Sequence, residues 1–197
     1  CGIGNVLLNL KSNGIKAKMY GLDISKNMIN LANKNLDLSG LKDIYFINAG
    51  IKDNLKPANI VLSLGVIGYQ KRQEDFMNRL SNLVHQEGYL MFTTANGDSL
   101  LRKIRKYISK LYSFFKRKTK YKRVEFFSIK EAQVMSILTK NNFEIKKKLY
   151  ITFGLGLFSS SIECLVDKFF FRFLNNHIIG KYFSLSVVYI FKKSSKK

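Results

Sequence analysis

Two glycines and an aspartate open the chain at spacings that suit a nucleoside ligand. Gly2 and Gly4 flank Ile3 ahead of Val6, Leu7 and Leu10, apolar residues at helical spacing. The segment is therefore read as a tight turn feeding the N-terminus of a helix. A strand-like run over residues 17–23 follows and closes on the acid. Nineteen residues separate Gly4 from Asp23, near the roughly 20 between a glycine-rich turn and a carboxylate that takes ribose hydroxyls. A nicotinamide-binding G-x-G-x-x-G counted from Gly2 would need its third glycine at position 7, where Leu7 stands. The pattern points to a nucleoside cofactor of another kind.

The elements that must hold these residues follow in order. Met28, Leu31, Ala32 and Leu36 recur at helical spacing, with Ser25 placed to cap the helix and Gly40 in the turn beyond it. Residues 44–49 read as a strand, 52–57 as a loop, and 58–64 as a strand whose continuous apolar character suits burial on both faces. A helix over 72–85 presents Phe76, Leu80, Leu83 and Val84. Glu87 and Gly88 read as a turn, and 89–95 as the next strand. Strands alternating with helices imply a parallel sheet covered on both sides.

The opening motif and the stretches NIVLSLGVIGY and HQEGYLMFTTANGDS together resemble the class I S-adenosylmethionine-dependent methyltransferases. That family carries an acid and G-x-G-x-G after its first strand and an acid at the end of its second. Gly2 and Gly4 match the last two glycines. The preceding strand, its acid and the first glycine have no counterpart, so the chain is read as N-terminally truncated. The resemblance covers residues up to about 148 and implies a Rossmann-like three-layer α/β sandwich, mostly parallel, with the last strand antiparallel. The family's strand order, 3-2-1-4-5-7-6, has strand 1 in the centre. A gap or a makeshift contact is therefore expected between residues 17–23 and 58–64. One methyltransferase domain is expected over 1–197, with 1–96 the cofactor-binding half and 97–197 supplying acceptor-side helices and the final strands.

The resemblance also assigns roles. Gly2 and Gly4 would let the backbone approach the amino-acid end of S-adenosylmethionine, and Asp23 would accept from the ribose hydroxyls; its alternative is an acid capping the helix that starts near Ser25. Ile24, Met28 and Ile51 would flank the adenine. Gly50 falls where an acid commonly receives the adenine amino group, and Asn48 could substitute with its side-chain oxygen. Asn59 stands where many relatives have Asp. Leu64 and Gly65 would line the cofactor beneath the methyl. Methyl transfer from a sulfonium needs little acid-base machinery, and no triad is visible. Tyr69 is the nearest polar group to serve as a base, with aromatic packing as its alternative role, while His85 lies in the helix-to-strand turn away from the site.

Beyond residue 96 the surface is more legible than the chemistry. Leu101, Ile104, Ile108, Leu111 and Phe115 share one helical stripe, with Arg102, Lys103, Arg105, Lys106 and Lys110 off it. Such a helix can lie on an anionic membrane, or pack its stripe on the domain and leave its lysines in solvent. A helix over 128–141 should bury Ala132, Met135 and Leu138. Residues 143–153 read as a strand, 162–174 as a second amphipathic stretch, and SLSVVYIFKK as the final strand, antiparallel in the family.

Composition sets the outer bounds. At 197 residues and 46% hydrophobic the chain can build one substantial core. Its 34 Lys and Arg against 13 Asp and Glu give a net charge of +21, which draws a protein toward nucleic acid, anionic lipid or acidic substrates. Lys, Asn and Ile are abundant throughout, as AT-rich coding would also produce. With two cysteines, Cys1 and Cys164, and the isolated His85 and His177, no disulfide framework or metal cluster is expected, which suits a reducing, cytoplasmic setting, with a peripheral place at a membrane as an extension of it. No secretory leader is read in the first residues, and the longest apolar run, 151–162, stops at Glu163, too short to span a bilayer.

The reading that results is a methyltransferase using S-adenosylmethionine on a small-molecule or lipid-like acceptor, at oxygen. Two rivals stand beside it. The charge and the run KRKTKYKR, with Tyr121 among the bases, suggest an RNA methyltransferase. SLGVIGY, however, lacks the Asn/Asp-Pro-Pro-aromatic motif of enzymes that methylate base amino groups. Gly50 and the shortened first motif suggest instead a non-catalytic binding or membrane-surface protein on a decayed scaffold.

Overall fold

In the computed structural model, which describes residues 1–51, 55–115, 125–152, 168 and 178–195, the short apolar runs and amphipathic stretches of those segments become separate elements. The basic run KRKTKYKR and, Lys168 apart, the amphipathic stretch 162–174 lie outside them. The chain forms two compact units, Cys1–Leu55 and Lys56–Lys197.

In the first unit helix α1 (Asn5–Ser12) precedes strand β1 (Met19–Asp23), helix α2 (Lys26–Ser39) and strand β2 (Ile44–Asn48). β1 and β2 pair in parallel, with Gly21 opposite Phe46 and Asp23 opposite Asn48. As expected, Ser25 caps α2, its hydroxyl accepting the Met28 N–H at 3.4 Å, and Gly40 ends the helix. α2 buries Ile29 and Ala32 toward a floor that includes Met19 and Ile44, also buried. Asn48 donates from its side-chain amide to the Asp23 carbonyl at 3.0 Å, which ties the ends of the two strands together.

The second unit is a four-stranded sheet in the order β3 (Ala58–Ser63), β4 (Val84–Ala95), β6 (Ser186–Lys193), β5 (Phe143–Ile151). β3 and β4 are parallel, and β6 runs antiparallel to both neighbours. Helices α3 (Gln73–Asn82), α4 (Leu100–Phe115), α5 (Glu131–Lys140) and α6 (Ile178–Phe183) complete it. Among the described residues no strand pairs with both β1 and β3.

The core of this unit is aromatic. Phe92 stacks on Tyr189 at 5.4 Å between ring centres and on Phe191 at 6.0 Å, and all three are buried. Met77 and Leu80 of α3 and Val134, Ile137 and Leu138 of α5 are buried with them.

Several details differ from the periodicity reading. β3 is not covered on both faces along its first half: Ala58, Asn59 and Ile60 are exposed, and among the described residues β4 is its hydrogen-bonded neighbour. Glu87 and Gly88 are not a turn between helix and strand. α3 ends at Asn82, β4 begins at Val84, and the pairing with β3 slips between Ala58 and Ile60, where Glu87 takes a positive φ of 63°. The irregularity is a bulge carried inside the strand. α5 buries Val134, Ile137 and Leu138 rather than Ala132 and Met135, since the face toward the sheet is set by its crossing of α3 and β5.

The end of β4 is fixed by close backbone contact. The buried Asn96 donates from Nδ2 to the carbonyls of Lys181 (2.7 Å) and Ser184 (3.1 Å), while its Oδ1 accepts the Asp98 N–H at 3.0 Å. Gly97 donates to the Ile129 carbonyl at 2.9 Å, and a Cβ added there would sit 2.6 Å from the Ile129 carbonyl carbon and 2.8 Å from the Lys130 nitrogen. Neither backbone atom can swing aside as a side chain could. Gly97→Ala should therefore lower unfolding free energy by about 1–3 kcal/mol, read by denaturant unfolding; unchanged stability would mean that this crossing is not held tightly.

Candidate functional site

Asp23 sits at the carboxyl end of β1, and the first residues of the chain fold back onto it. Its Oδ2 accepts the Gly2 N–H at 2.8 Å and the Cys1 amine at 2.9 Å, and its Oδ1 accepts the Ser25 N–H at 3.0 Å. A carboxylate has about four acceptor positions, so Oδ1 keeps one open for a further donor. Asp23 is thus not the cap of α2. Ser25 caps the helix, and Asp23 orders the turn that leads into it.

Burial raises the Asp23 pKa, but the N–H groups of Ser25, Cys1 and Gly2 together outweigh it and hold the carboxyl at about 2 rather than 3.8. A depressed carboxylate stabilises the fold while ionised. The contribution is full above about pH 3.8, where the unfolded side chain is also charged, and is lost as pH falls through about 2. Stability measured by denaturant unfolding from about pH 5 to about pH 2 should fall with acid, and Asp23→Asn should flatten that slope. Equal slopes would show that the anchoring bonds contribute nothing.

The two glycines of the turn do different work. Both have positive φ, 57° at Gly2 and 84° at Gly4. A Cβ on Gly2 would meet nothing within 4 Å, so the backbone here faces open space that another molecule could enter. A Cβ on Gly4 would lie 2.5 Å from the Phe46 ring, and one on Gly21 would lie 2.7 Å from it. Phe46 is thus wedged against two glycine backbones, and this packing brings the turn against the sheet. Sequence reasoning missed Phe46; the signal available was Gly21 inside a strand, which marks close approach. Gly4 also supplies the N-cap of α1 without a side-chain hydrogen bond, leaving a helix N-terminus suited to negative charge.

Beyond the acid the surface turns apolar. Ile24 is 83% exposed and Met28 is exposed one helical turn on. Gly50 lies beside Ile24, where a Cβ would touch it at 3.6 Å. Ile51 follows, partly buried. Because the Asn48 amide nitrogen is committed to Asp23, its Oδ1 is the atom left to accept a hydrogen bond. The structure therefore gathers Gly2, Gly4, Asp23 and Asn48 by hydrogen bonds and packing, with Ile24, Met28, Gly50 and Ile51 following them in the chain. This set fits an adenosine: a carboxylate with an open acceptor position, an amide oxygen, exposed apolar side chains and an unshielded backbone.

Leu64 and Gly65 belong to the second unit, just past β3. Gly65 donates its N–H to the Thr93 hydroxyl at 2.7 Å, and Leu64 is exposed. Tyr69 lies in a short 3-10 turn (Ile67–Tyr69) with its ring edge-on to Phe126 at 5.0 Å, and is more than half exposed. The packing role proposed for it has a physical counterpart in that contact. His85 is exposed at the start of β4.

Residues 1–146 match the family described as Methyltransferase domain. No curated protein sequence matches the chain. Among solved structures, magnesium protoporphyrin IX methyltransferase from Synechocystis PCC 6803, with bound SAH, superposes with a TM-score of 0.64 at 19% identity, covering 98% of this chain and 71% of that one. A SAM-dependent methyltransferase from Methanosarcina mazei gives 0.65 at 17% identity, over 100% and 90% of the two chains. PKMT2 from Rickettsia typhi, in complex with AdoHcy, gives 0.65 at 14%, over 100% and 48%. At such identities the likeness is one of fold, Rossmann-like α/β with an antiparallel last strand. The family match spans well over half of the sequence, and the chain belongs to the methyltransferase-domain family.

Proposed function

We propose that the chain transfers a methyl group from S-adenosylmethionine to a small-molecule or lipid-like acceptor, at oxygen. The observation that carries this reading is the carboxylate of Asp23, pinned by the N–H groups of Gly2 and Ser25 with one acceptor position open, beside exposed Ile24 and Met28.

The cofactor would supply a methyl already activated by sulfonium charge. The residues then need to bind, orient and exclude water rather than perform acid-base work. Asp23 would accept from the ribose, and Asn48 Oδ1 from the adenine amino group. Ile24, Met28 and Ile51 would cover the adenine faces, and Gly50 leaves room beside Ile24. Gly2 and the uncapped start of α1 at Gly4 would receive the amino-acid end. The acceptor hydroxyl would release its proton to solvent.

The test is calorimetric titration of S-adenosylhomocysteine into the full chain after circular dichroism has shown it folded. Saturable binding is expected. No binding by a folded chain would overturn the reading and favour a non-catalytic protein on the same scaffold.

A further inference from the structure

Helix α4 is anchored at its start by a basic residue. Successive residues advance by about 100°, so Arg102 and Ile104 project on nearly opposite sides, about 160° apart. The usual arrangement packs the apolar stripe inward and leaves the basic side in water. Here Arg102 is the anchor. Its Nε donates to the Asn96 carbonyl at 3.2 Å, a second guanidinium N–H donates to the Leu185 carbonyl, and the group lies over the Phe126 ring at 5.8 Å. The buried Ser99 hydroxyl accepts the Arg102 N–H at 3.1 Å and fixes the start of the helix.

With Arg102 inward, an apolar strip of three residues near the start of α4 lies on the opposite side. Leu100, Ile104 and Tyr107 are 44%, 49% and 71% exposed. Lys103 and Arg105, one step to either side of Ile104 around the helix, are exposed as well, as is Lys106. The surrounding sequence is uniformly basic: residues 101–124 hold eleven Lys and Arg and no Asp or Glu.

We propose that this outward face of α4 docks on a lipid bilayer surface that carries anionic headgroups, with Leu100, Ile104 and Tyr107 entering the acyl boundary and Lys103 and Arg105 at headgroup level. The inference goes beyond the methyl-transfer reading and does not rest on it. An apolar strip between basic flanks matches a partner with an apolar layer under an anionic one. RNA offers the phosphates without the apolar layer. A second copy of this chain would bring two bodies of net charge +21 together.

The experiment is co-sedimentation of the full chain with vesicles of phosphatidylcholine alone and of equal parts phosphatidylcholine and phosphatidylglycerol, without cofactor. Binding is expected to the mixed vesicles only. Ile104→Glu should weaken it by about tenfold or more, as should the triple variant K103Q/R105Q/K106Q, whereas K16Q/K18Q/K26Q, which removes the same charge from exposed sites in the first unit, should change it by less than about twofold. Circular dichroism checks that each variant is folded. Absence of binding, indifference to Ile104→Glu, or an equal loss in K16Q/K18Q/K26Q overturns the proposal. So does tighter binding to an RNA oligomer lost in the same α4 variants, or a dimer in size exclusion that Ile104→Glu dissolves.

Discussion

Asp23→Ala should abolish measurable S-adenosylhomocysteine binding in a chain that remains folded. A hydrogen bond to a charged group contributes about 1.5–3 kcal/mol, so losing the proposed ribose contact at Oδ1 alone would cost about 10- to 100-fold in affinity. The variant loses more than that contact. The Gly2 and Ser25 N–H groups both end on this carboxylate, and without it the turn over β1 and the approach to α2 lose their anchor. The combined loss should be at least about a hundredfold. Asp23→Asn should fall between, because the amide keeps one acceptor oxygen but turns an N–H₂ toward a backbone donor. The comparison is made by calorimetry at matched folded fractions. Affinity in Asp23→Ala equal to the parent's would remove Asp23 from the site and with it the main support for the adenosine reading.

Phe92→Ala should be the most damaging single change in the second unit. Phe92 is buried in the middle strand pair, stacked on Tyr189 and Phe191, and it stands opposite Ser63 at the end of β3. Removing the ring takes away its transfer energy and leaves a cavity that a sheet hydrogen-bonded on both sides cannot close, a loss of about 3–5 kcal/mol. That is a large share of the 5–15 kcal/mol that typically separates folded from unfolded domains. Thermal and denaturant unfolding should show a lowered midpoint, while Phe92→Leu should recover much of the stability by refilling the space. A stability loss under about 1 kcal/mol for the alanine variant would mean that the sheet repacks, against the expectation for a closely packed interior.

Much of the arrangement was legible in the sequence because it is local. Ser25 before an amphipathic run and Gly40 after it define α2 through hydrogen bonds within a few residues, and the acid at the end of β1 follows a turn at a countable spacing. Strand existence was equally readable, since residues 44–48, 58–63 and 186–193 are rich in β-formers over lengths too short for helices. Element boundaries and buried faces were less so. The bulge at Glu87 and the inward face of α5 depend on which neighbour each element meets, and periodicity within one segment holds no information about that neighbour.

By itself, then, the sequence determined the order of elements, the turn and acid that could hold a nucleoside, and the family. Only the tertiary structure decided that Phe46 fills the space beside Gly4 and Gly21, that three N–H donors converge on Asp23, and that Arg102 ties the start of α4 to the Asn96 and Leu185 carbonyls. The physical reason is common to all three. Each depends on contacts between residues distant in the chain, which local hydrophobicity does not encode.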